Sequence, residues 1–251
     1  MNVKKKGAHA EHLLSPLDAN ELDLILKHIH VPCHISAALE LDADGSFSKK
    51  ALEYGATLGL AHTCATAEEA KRALKNGATS FTHLYNAMPP LHHREGGAVV
   101  VALTEDSYGE IIADGMHVCG DMIKLAYRCL GKDHFVLISD SMCATCCVDG
   151  EYAIAGQPVV VKSGKATLHD GTLAGSTLNL LDGMKNLMEF ADVPMEDAVA
   201  CATLNPARMV GLDECVGSIE VGKRADLLVL DGDCRLLDVY ANGTLIKGEA
   251  V

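Results

Sequence analysis

Basic residues are scarce in this sequence: 21 Lys and Arg against 34 Asp and Glu leave a formal net charge of −13. Nucleic acid and anionic membrane surfaces demand cationic surface to neutralise their phosphates, so the balance argues against both as general partners. A small phosphorylated ligand needs only one local cluster of donors and remains admissible. No apolar run approaches the ~18 residues of a membrane span, and Met1–Ala10 is basic and polar, unlike a secretory leader. Both absences set the expectation of a cytoplasmic protein. The ten cysteines are scattered, and Cys129 and Cys201 lie inside apolar stretches, so reduced and mostly buried thiols are expected. Cys143, Cys146 and Cys147 form the one cluster, but a zinc ribbon needs a second pair at suitable spacing, and the sequence has none. Internal repeats and low-complexity segments are also absent.

What is present is alternation. At 251 residues the chain can bury a sizeable core, as one large domain or a large and a small one. Helical and strand patterns alternate over the first ~140 residues, the mark of a parallel α/β fold. Ser15-Pro16-Leu17-Asp18 reads as a capping box with proline at the first helical position, followed by Leu22, Ile25, Leu26 and Ile29 at helical spacing. Strands are expected at His34 to Ala38, at the runs closing on His62 and His83, at Glu110 to Ala113, and at the run closing on Asp140. Helices are expected at Lys49 to Tyr54, after the second capping box at Thr66-Ala67-Glu68-Glu69, and from Asp121 to Leu130. That makes about five strand–helix units, where a closed barrel has eight. Beyond Tyr152 the pattern changes to a hairpin around Ser163-Gly164, two helices (Ser176 to Phe190 and Met195 to Cys201), and a β-rich tail. The tail's strands are read at Ala225 to Leu230, Leu237 to Tyr240 and Thr244 to Lys247, with Asn242-Gly243 as a tight turn.

Three polar residues close apolar runs: His62 after Thr57 to Ala61, His83 after Ala78 to Thr82, and Asp140 after Phe135 to Ser139. Between His62 and His83 there is room for one loop, one helix and the next strand. This places both imidazoles at the carboxyl ends of neighbouring parallel strands, where α/β barrels build their active sites. A single histidine is more often a satisfied core or surface residue; the shared strand-end placement sets these two apart from His28, His30, His34, His134 and His169. Two imidazoles with a nearby carboxylate point to a divalent-metal hydrolase, Asp140 serving as general base and then general acid. Asn86 and Arg94, the latter in a Gly-rich loop, compose a candidate phosphate cradle. Leu173-Ala174-Gly175-Ser176 is read as the opening of a helix whose N–H groups face an anion or sugar hydroxyls.

Several segments carry a specific resemblance: Ala61-His62, the run from Thr82 to Pro89, the run from Ala113 to Val118, Ser139-Asp140 and the run from Thr172 to Ser176. Together they resemble the motifs of the N-acetylglucosamine-6-phosphate deacetylases of the amidohydrolase superfamily. The tail, from Asn205-Pro206-Ala207-Arg208 to Asn242-Gly243, resembles the end of that superfamily in general. The resemblance implies an incomplete (β/α) TIM-type barrel, about five of eight strands, over residues 1–213 with a β-hairpin insert near 152–170. A small C-terminal β-sandwich portion follows over 214–251. It further implies that a metal-activated water hydrolyses the acetamide of N-acetylglucosamine 6-phosphate. His62 and His83 would bind a divalent cation, zinc foremost and iron, manganese or cobalt also suited. Asp140 would be the acid–base residue, and His9, in the Lys5-Lys6-Gly7-Ala8-His9 segment, would polarise the acetamide carbonyl. Ala8, Asn86, Ala87, Arg94, His117, Leu173, Ala174 and Gly175 would contact the phosphosugar, some across a homodimer interface. Family members carry a third metal ligand, a Glu in a His-Leu-Glu-Gly-Pro motif just ahead of the stretch resembling Asn2 to His9. With the sequence starting at Met1, a truncated chain that binds phosphosugar or assembles with another chain is the alternative.

Overall fold

The computed structural model describes residues 1–246. Five parallel strands form one sheet in sequential order: β1 (His34–Ala37), β2 (Thr57–Leu60), β3 (Ala78–Phe81), β4 (Tyr108–Ile112) and β5 (Phe135–Ile138). Between and before them run α1 (Ala19–Leu26), α2 (Ser46–Glu53), α3 (Ala67–Lys75), α4 (Gly97–Thr104) and α5 (Gly120–His134). This is the consecutive part of a (β/α) barrel, five of its eight strands. One sheet face is apolar and packs on the helices: Leu58, Leu60, Phe81, Ile111, Phe135 and Leu137 are at most 2% exposed and share one core with Ala51, Ala70, Val99, Val101 and Ile123. Side chains alternate across a strand, so the other face carries His34 and Ser36, Gly59, Ser80 and Thr82, and Glu110. That face is unusually polar for a barrel interior.

A second sheet, antiparallel, follows β5: β6 (Gly150–Ile154), β7 (Gln157–Lys162) and β8 (Lys165–Thr167). Its Val159, Val161 and Ala166 pack with Ala8, Met142, Ala144 and Ala174 into a separate small core at the barrel mouth. Helices α6 (Leu180–Ala191), α7 (Met195–Ala202) and α8 (Leu204–Met209) return to the barrel's outer layer. The chain then forms a three-stranded antiparallel sheet of β9 (Leu227–Leu230), β10 (Leu236–Ala241) and β11 (Thr244–Ile246). Asn242 and Gly243 both take positive φ (48° and 76°), as a two-residue hairpin turn requires. Lys247, read as the last residue of that strand, lies outside the described residues.

Local chemistry explains most boundaries, and it moves several. The Thr66 box forms as read: Thr66 Oγ1 accepts from Glu69 N (3.2 Å) and Glu69 Oε2 from Thr66 N (2.9 Å). The Ser15 box does not form; Asp18 caps α1 instead, accepting from Asn20 N and Glu21 N. Leu22 and Leu26 are buried there, while Ile25 is exposed. Gly131 takes φ 68° and breaks helical geometry near the end of α5, where the stop is read. The helix expected at Ser176 begins only at Leu180, capped by Asn179. Ser176 instead donates its N–H to Asp140 O (2.8 Å) and joins a bridge to Ser141, so residues 173–176 are no helix N-terminus. The cysteines are free, but buried ones are the minority: Cys201 and Cys234 are buried, whereas Cys129, Cys143, Cys146 and Cys147 are among the exposed. Cys129 shows why: its helix α5 is apolar on one side only, and it falls on the solvent side. No helix among the described residues is long and apolar enough to cross a membrane.

Candidate active site

A cavity of about 720 Å³ opens where the sheet's carboxyl ends meet the N-terminal segment and the β6–β8 insert. His62, His83 and Asp140 all line it. Each sits two residues past its strand, after a single linker residue (Ala61, Thr82 or Ser139), and each has left-handed φ: 45°, 38° and 48°. For residues other than glycine that conformation costs on the order of 1–2 kcal/mol and persists only where the surroundings enforce it. Here the enforcement is visible. The carbonyls of His62, His83 and Asp140 accept the backbone N–H groups of Asn2 (2.9 Å), Asn86 (2.9 Å) and Ser176 (2.8 Å).

The N-terminal segment is part of the site. Glu40 fastens it: its Oε1 accepts from Asn2 Nδ2 (3.0 Å) and Cys64 N (2.8 Å), and its Oε2 from Thr63 Oγ1 (2.6 Å). Lys5 Nζ donates to Met88 O (2.8 Å), tying the same segment to the loop after β3. Lys5 O in turn accepts from His62 Nδ1 (2.7 Å). A carbonyl can only accept, so His62 carries its proton on Nδ1 and keeps the Nε2 lone pair free. Burial pushes its pKa down to about 4, which the hydrogen bond to Lys5 only partly opposes, so the ring is neutral at physiological pH. His83 packs edge-on against it, with ring centroids 4.7 Å apart, and His9 does the same from the other side at 5.1 Å. His9 Nδ1 bonds Lys6 O (3.0 Å) and leaves Nε2 free in the same way.

Burial also raises the Asp140 pKa, against the lowering influence of His83, His117 and His9. A carboxyl so poised can hold or release a proton near its surroundings' demand. His117 is oriented by Asp114, whose Oδ2 lies 2.7 Å from its Nδ1 and whose Oδ1 caps Met116 N and His117 N. Burial raises the Asp114 pKa, but the His117 bonds outweigh it and the net direction is down, so Asp114 stays an acceptor. Asn86 and Ala87 line the wall beside His83, and Ala8, Leu173 and Gly175 the wall opposite. Two of the expected contacts are elsewhere. Ala174 is fully buried in the small core behind Leu173, and Arg94 is exposed on the loop before α4, its Nη1 2.7 Å from His93 Nε2.

Two imidazoles suit a divalent cation: one is neutral with a free Nε2, and His83 Nδ1 is buried with no hydrogen-bond partner among the described residues. A third ligand is not at hand. Among the described residues no three His, Cys, Asp or Glu side chains are grouped to hold a metal ion. The set therefore fits two coordination positions. The cavity also includes Lys4, Lys5, Ser36, Thr82, Met142, Ile154 and Thr172, which the sequence reading did not single out. Thr82 and Ser36 had a signal, a polar residue on the inward face at a strand end; Lys5 had only its place in the Lys5-Lys6-Gly7-Ala8-His9 segment, and Glu40 and Lys4 gave none.

The amidohydrolase family model matches residues 25–249. The chain belongs to the amidohydrolase family. This amidohydrolase is 35% identical over 244 residues to the N-acetylgalactosamine-6-phosphate deacetylase of Escherichia coli O157:H7, covering 96% of the chain and 64% of the relative. It is 40% identical over 187 residues to the N-acetylglucosamine-6-phosphate deacetylase of Bacillus subtilis, covering 74% and 47%. Among solved structures it matches the N-acetylglucosamine-6-phosphate deacetylase of Pasteurella multocida with a TM-score of 0.93 at 30% identity, over 99% of the chain and 65% of that protein. A mutant of the Mycobacterium smegmatis N-acetyl-D-glucosamine-6-phosphate deacetylase, solved in complex with N-acetyl-D-glucosamine-6-phosphate, matches at 0.90 and 32% identity over 98% of the chain. The chain thus spans less than two thirds of the length of these curated relatives. The family is generally dependent on divalent metal ions.

Proposed function

We propose that the cavity hydrolyses the acetamide of N-acetylglucosamine 6-phosphate, yielding acetate and glucosamine 6-phosphate. The observation that supports this most is the convergence of His62, His83 and Asp140 on one cavity mouth, in matching strained conformations. A divalent cation held by His62, His83 and one further ligand would polarise the acetamide carbonyl and supply an activated water, zinc being the best suited. The protein's own groups do the rest. Asp140 takes a proton from the attacking water and returns it to the departing sugar nitrogen, a cycle for which its raised pKa is suited. His9, placed beside His62 by its bond to Lys6 O, donates from Nε2 toward the acetamide oxygen when both of its ring nitrogens carry protons. His117, Asn86 and the Ala87 backbone hold the phosphosugar, and Leu173 and Gly175 close over it.

Arg94 stands outside its own chain's cavity, and in this reading it reaches the phosphate bound by the other subunit of a homodimer. A second reading is favoured by one observation, the lack of a third metal-ligand side chain among the described residues. In it the chain binds the phosphosugar without turning it over. The test is acetate release together with calorimetric binding of N-acetylglucosamine 6-phosphate, zinc supplied. Release supports the first reading, binding alone the second, and neither event overturns both.

A further inference from the structure

The polar face of the sheet ends in a hydrogen-bonded chain that the roles above do not use. Glu110, only 4% exposed, sits in the middle of β4 and accepts at Oε1 from Ser80 Oγ (2.7 Å) and Thr82 Oγ1 (3.3 Å). His34 Nε2 lies 3.5 Å from the same oxygen, and His34 Nδ1 is 2.8 Å from Thr57 Oγ1. On the cavity side Thr82 Oγ1 is 2.8 Å from Ser36 Oγ, and both Thr82 and Ser36 line the cavity. Gly59 makes room for this assembly, since a Cβ there would meet Thr82 Oγ1, Ser80 Oγ and His34 Nε2 at 2.6, 2.8 and 2.9 Å.

The chemistry of these groups fixes a direction. A carboxylate only accepts, and a hydroxyl has a single proton to give. Ser80 and Thr82 both spend theirs on Glu110. Thr82 Oγ1 must then accept from Ser36, which spends its proton in turn. Ser36 Oγ is left presenting lone pairs alone to the cavity. Resting on the proposed phosphosugar reading, we propose that Glu110, acting through Thr82, makes Ser36 a dedicated hydrogen-bond acceptor for an O–H or N–H donor of the bound amino sugar. Glu110 and Thr82 are positioning residues in this scheme, and Ser36 determines specificity. An acceptor-only floor favours sugar hydroxyls or the acetamide N–H there and disfavours the phosphate.

The experiment is calorimetric titration of the full chain in an Asp140→Asn background, which blocks turnover during the measurement. The probes are N-acetylglucosamine 6-phosphate and glucose 6-phosphate. Ser36→Ala, at an exposed position, is expected to weaken binding about 2- to 12-fold, the range of one hydrogen bond. Weakening confined to the acetylated sugar assigns the donor as the amide N–H; weakening with both assigns a ring hydroxyl. Glu110→Gln, whose amide can also donate, removes the enforced direction and is expected to weaken binding similarly, yet to add nothing in the Ser36→Ala background. Thr82→Val, which leaves the buried carboxylate in place, serves as the second variant and should behave like Glu110→Gln. Binding unchanged by Ser36→Ala, or a Glu110→Gln effect undiminished in that background, overturns this inference alone. Failure of the chain to bind either sugar phosphate overturns the inference together with the reading beneath it.

Discussion

Replacing Gly59 by alanine tests whether the inward face of the sheet is packed as described. The added methyl would approach Thr82 Oγ1, Ser80 Oγ and His34 Nε2 at 2.6, 2.8 and 2.9 Å, all below the separations that real Cβ atoms show. These are tips of side chains, but none is free to swing away: Ser80 is buried and bound to Glu110, Thr82 to Glu110 and Ser36, and His34 to Thr57. Overpacking costs about 1–3 kcal/mol, and loosening a hydrogen bond to a charged group about 1.5–3 kcal/mol more. A loss of about 2.5–6 kcal/mol follows, or a Tm lower by about 5–24 °C at roughly 2–4 °C per kcal/mol for a chain of this size. Gly232→Ala is the control, since its Cβ would meet nothing within 4 Å and its φ is not left-handed. Urea denaturation followed by circular dichroism reads both. Gly59→Ala within about 0.5 kcal/mol of the unsubstituted chain, with an unchanged m-value, would refute the packing of that face.

Other expectations follow from the same geometry. His62 is neutral when folded because burial lowers its pKa from 6.5 to about 4, whereas the unfolded chain takes up that proton below 6.5. Its contribution is therefore intact above pH 6.5 and lost as pH falls toward 4, by about 2 kcal/mol after allowance for partial exposure. Asp140, raised by burial, works in the opposite direction, so Asp140→Asn should steepen the acid loss seen by denaturation of metal-free protein; a shallower slope would contradict both assignments. Arg94→Ala should weaken binding of the phosphorylated sugar at least tenfold while leaving the Tm within about 2 °C, as expected of an exposed side chain; equal affinity would remove it from the site. Asn205, 1% exposed, donates Nδ2 to Lys132 O (2.7 Å) and Phe135 O (2.8 Å) and so fixes the junction of α5 with β5. Asn205→Leu should cost about 1–3 kcal/mol in the same denaturation assay, because it strands the carbonyl of buried Phe135 and removes the bond to Lys132 O.

The five-strand alternation and the strand-end positions of His62, His83 and Asp140 were legible because buried parallel strands are short apolar runs with a polar residue at the rim. The Thr66 box was legible for a local reason, as it depends on residues three apart. The Ser15 box failed on the same pattern because Asp18, with its own acceptor oxygens, outcompeted Ser15 for the first free N–H groups of α1. Helix α4 escaped notice because it opens directly from the Gly-rich loop around Gly96-Gly97. Helix α6 was read four residues too early because Ser176 resembles a helix start but spends its N–H on Asp140 O, leaving Asn179 to cap the helix. The left-handed backbone at all three site residues has no sequence signature: glycine would announce it, and none stands there. His9 is brought to the site only by the path of the N-terminal segment across the barrel mouth, where Glu40 after β1 fastens it through Asn2, and no local pattern encodes that path. The hydroxyl chain under Ser36 likewise depends on Glu110, a charge inside a strand otherwise read as apolar.

The central claim is that this cavity is a hydrolytic site in which Asp140 carries the proton. Acetate release from N-acetylglucosamine 6-phosphate by the 251-residue chain with zinc supplied tests it most directly, measured beside the Asp140→Asn variant. The account predicts release by the unsubstituted chain and a loss of at least about a hundredfold in the variant, with phosphosugar binding retained. Release undiminished by Asp140→Asn, or tight binding of the phosphosugar with no acetate formed by either protein, would contradict it.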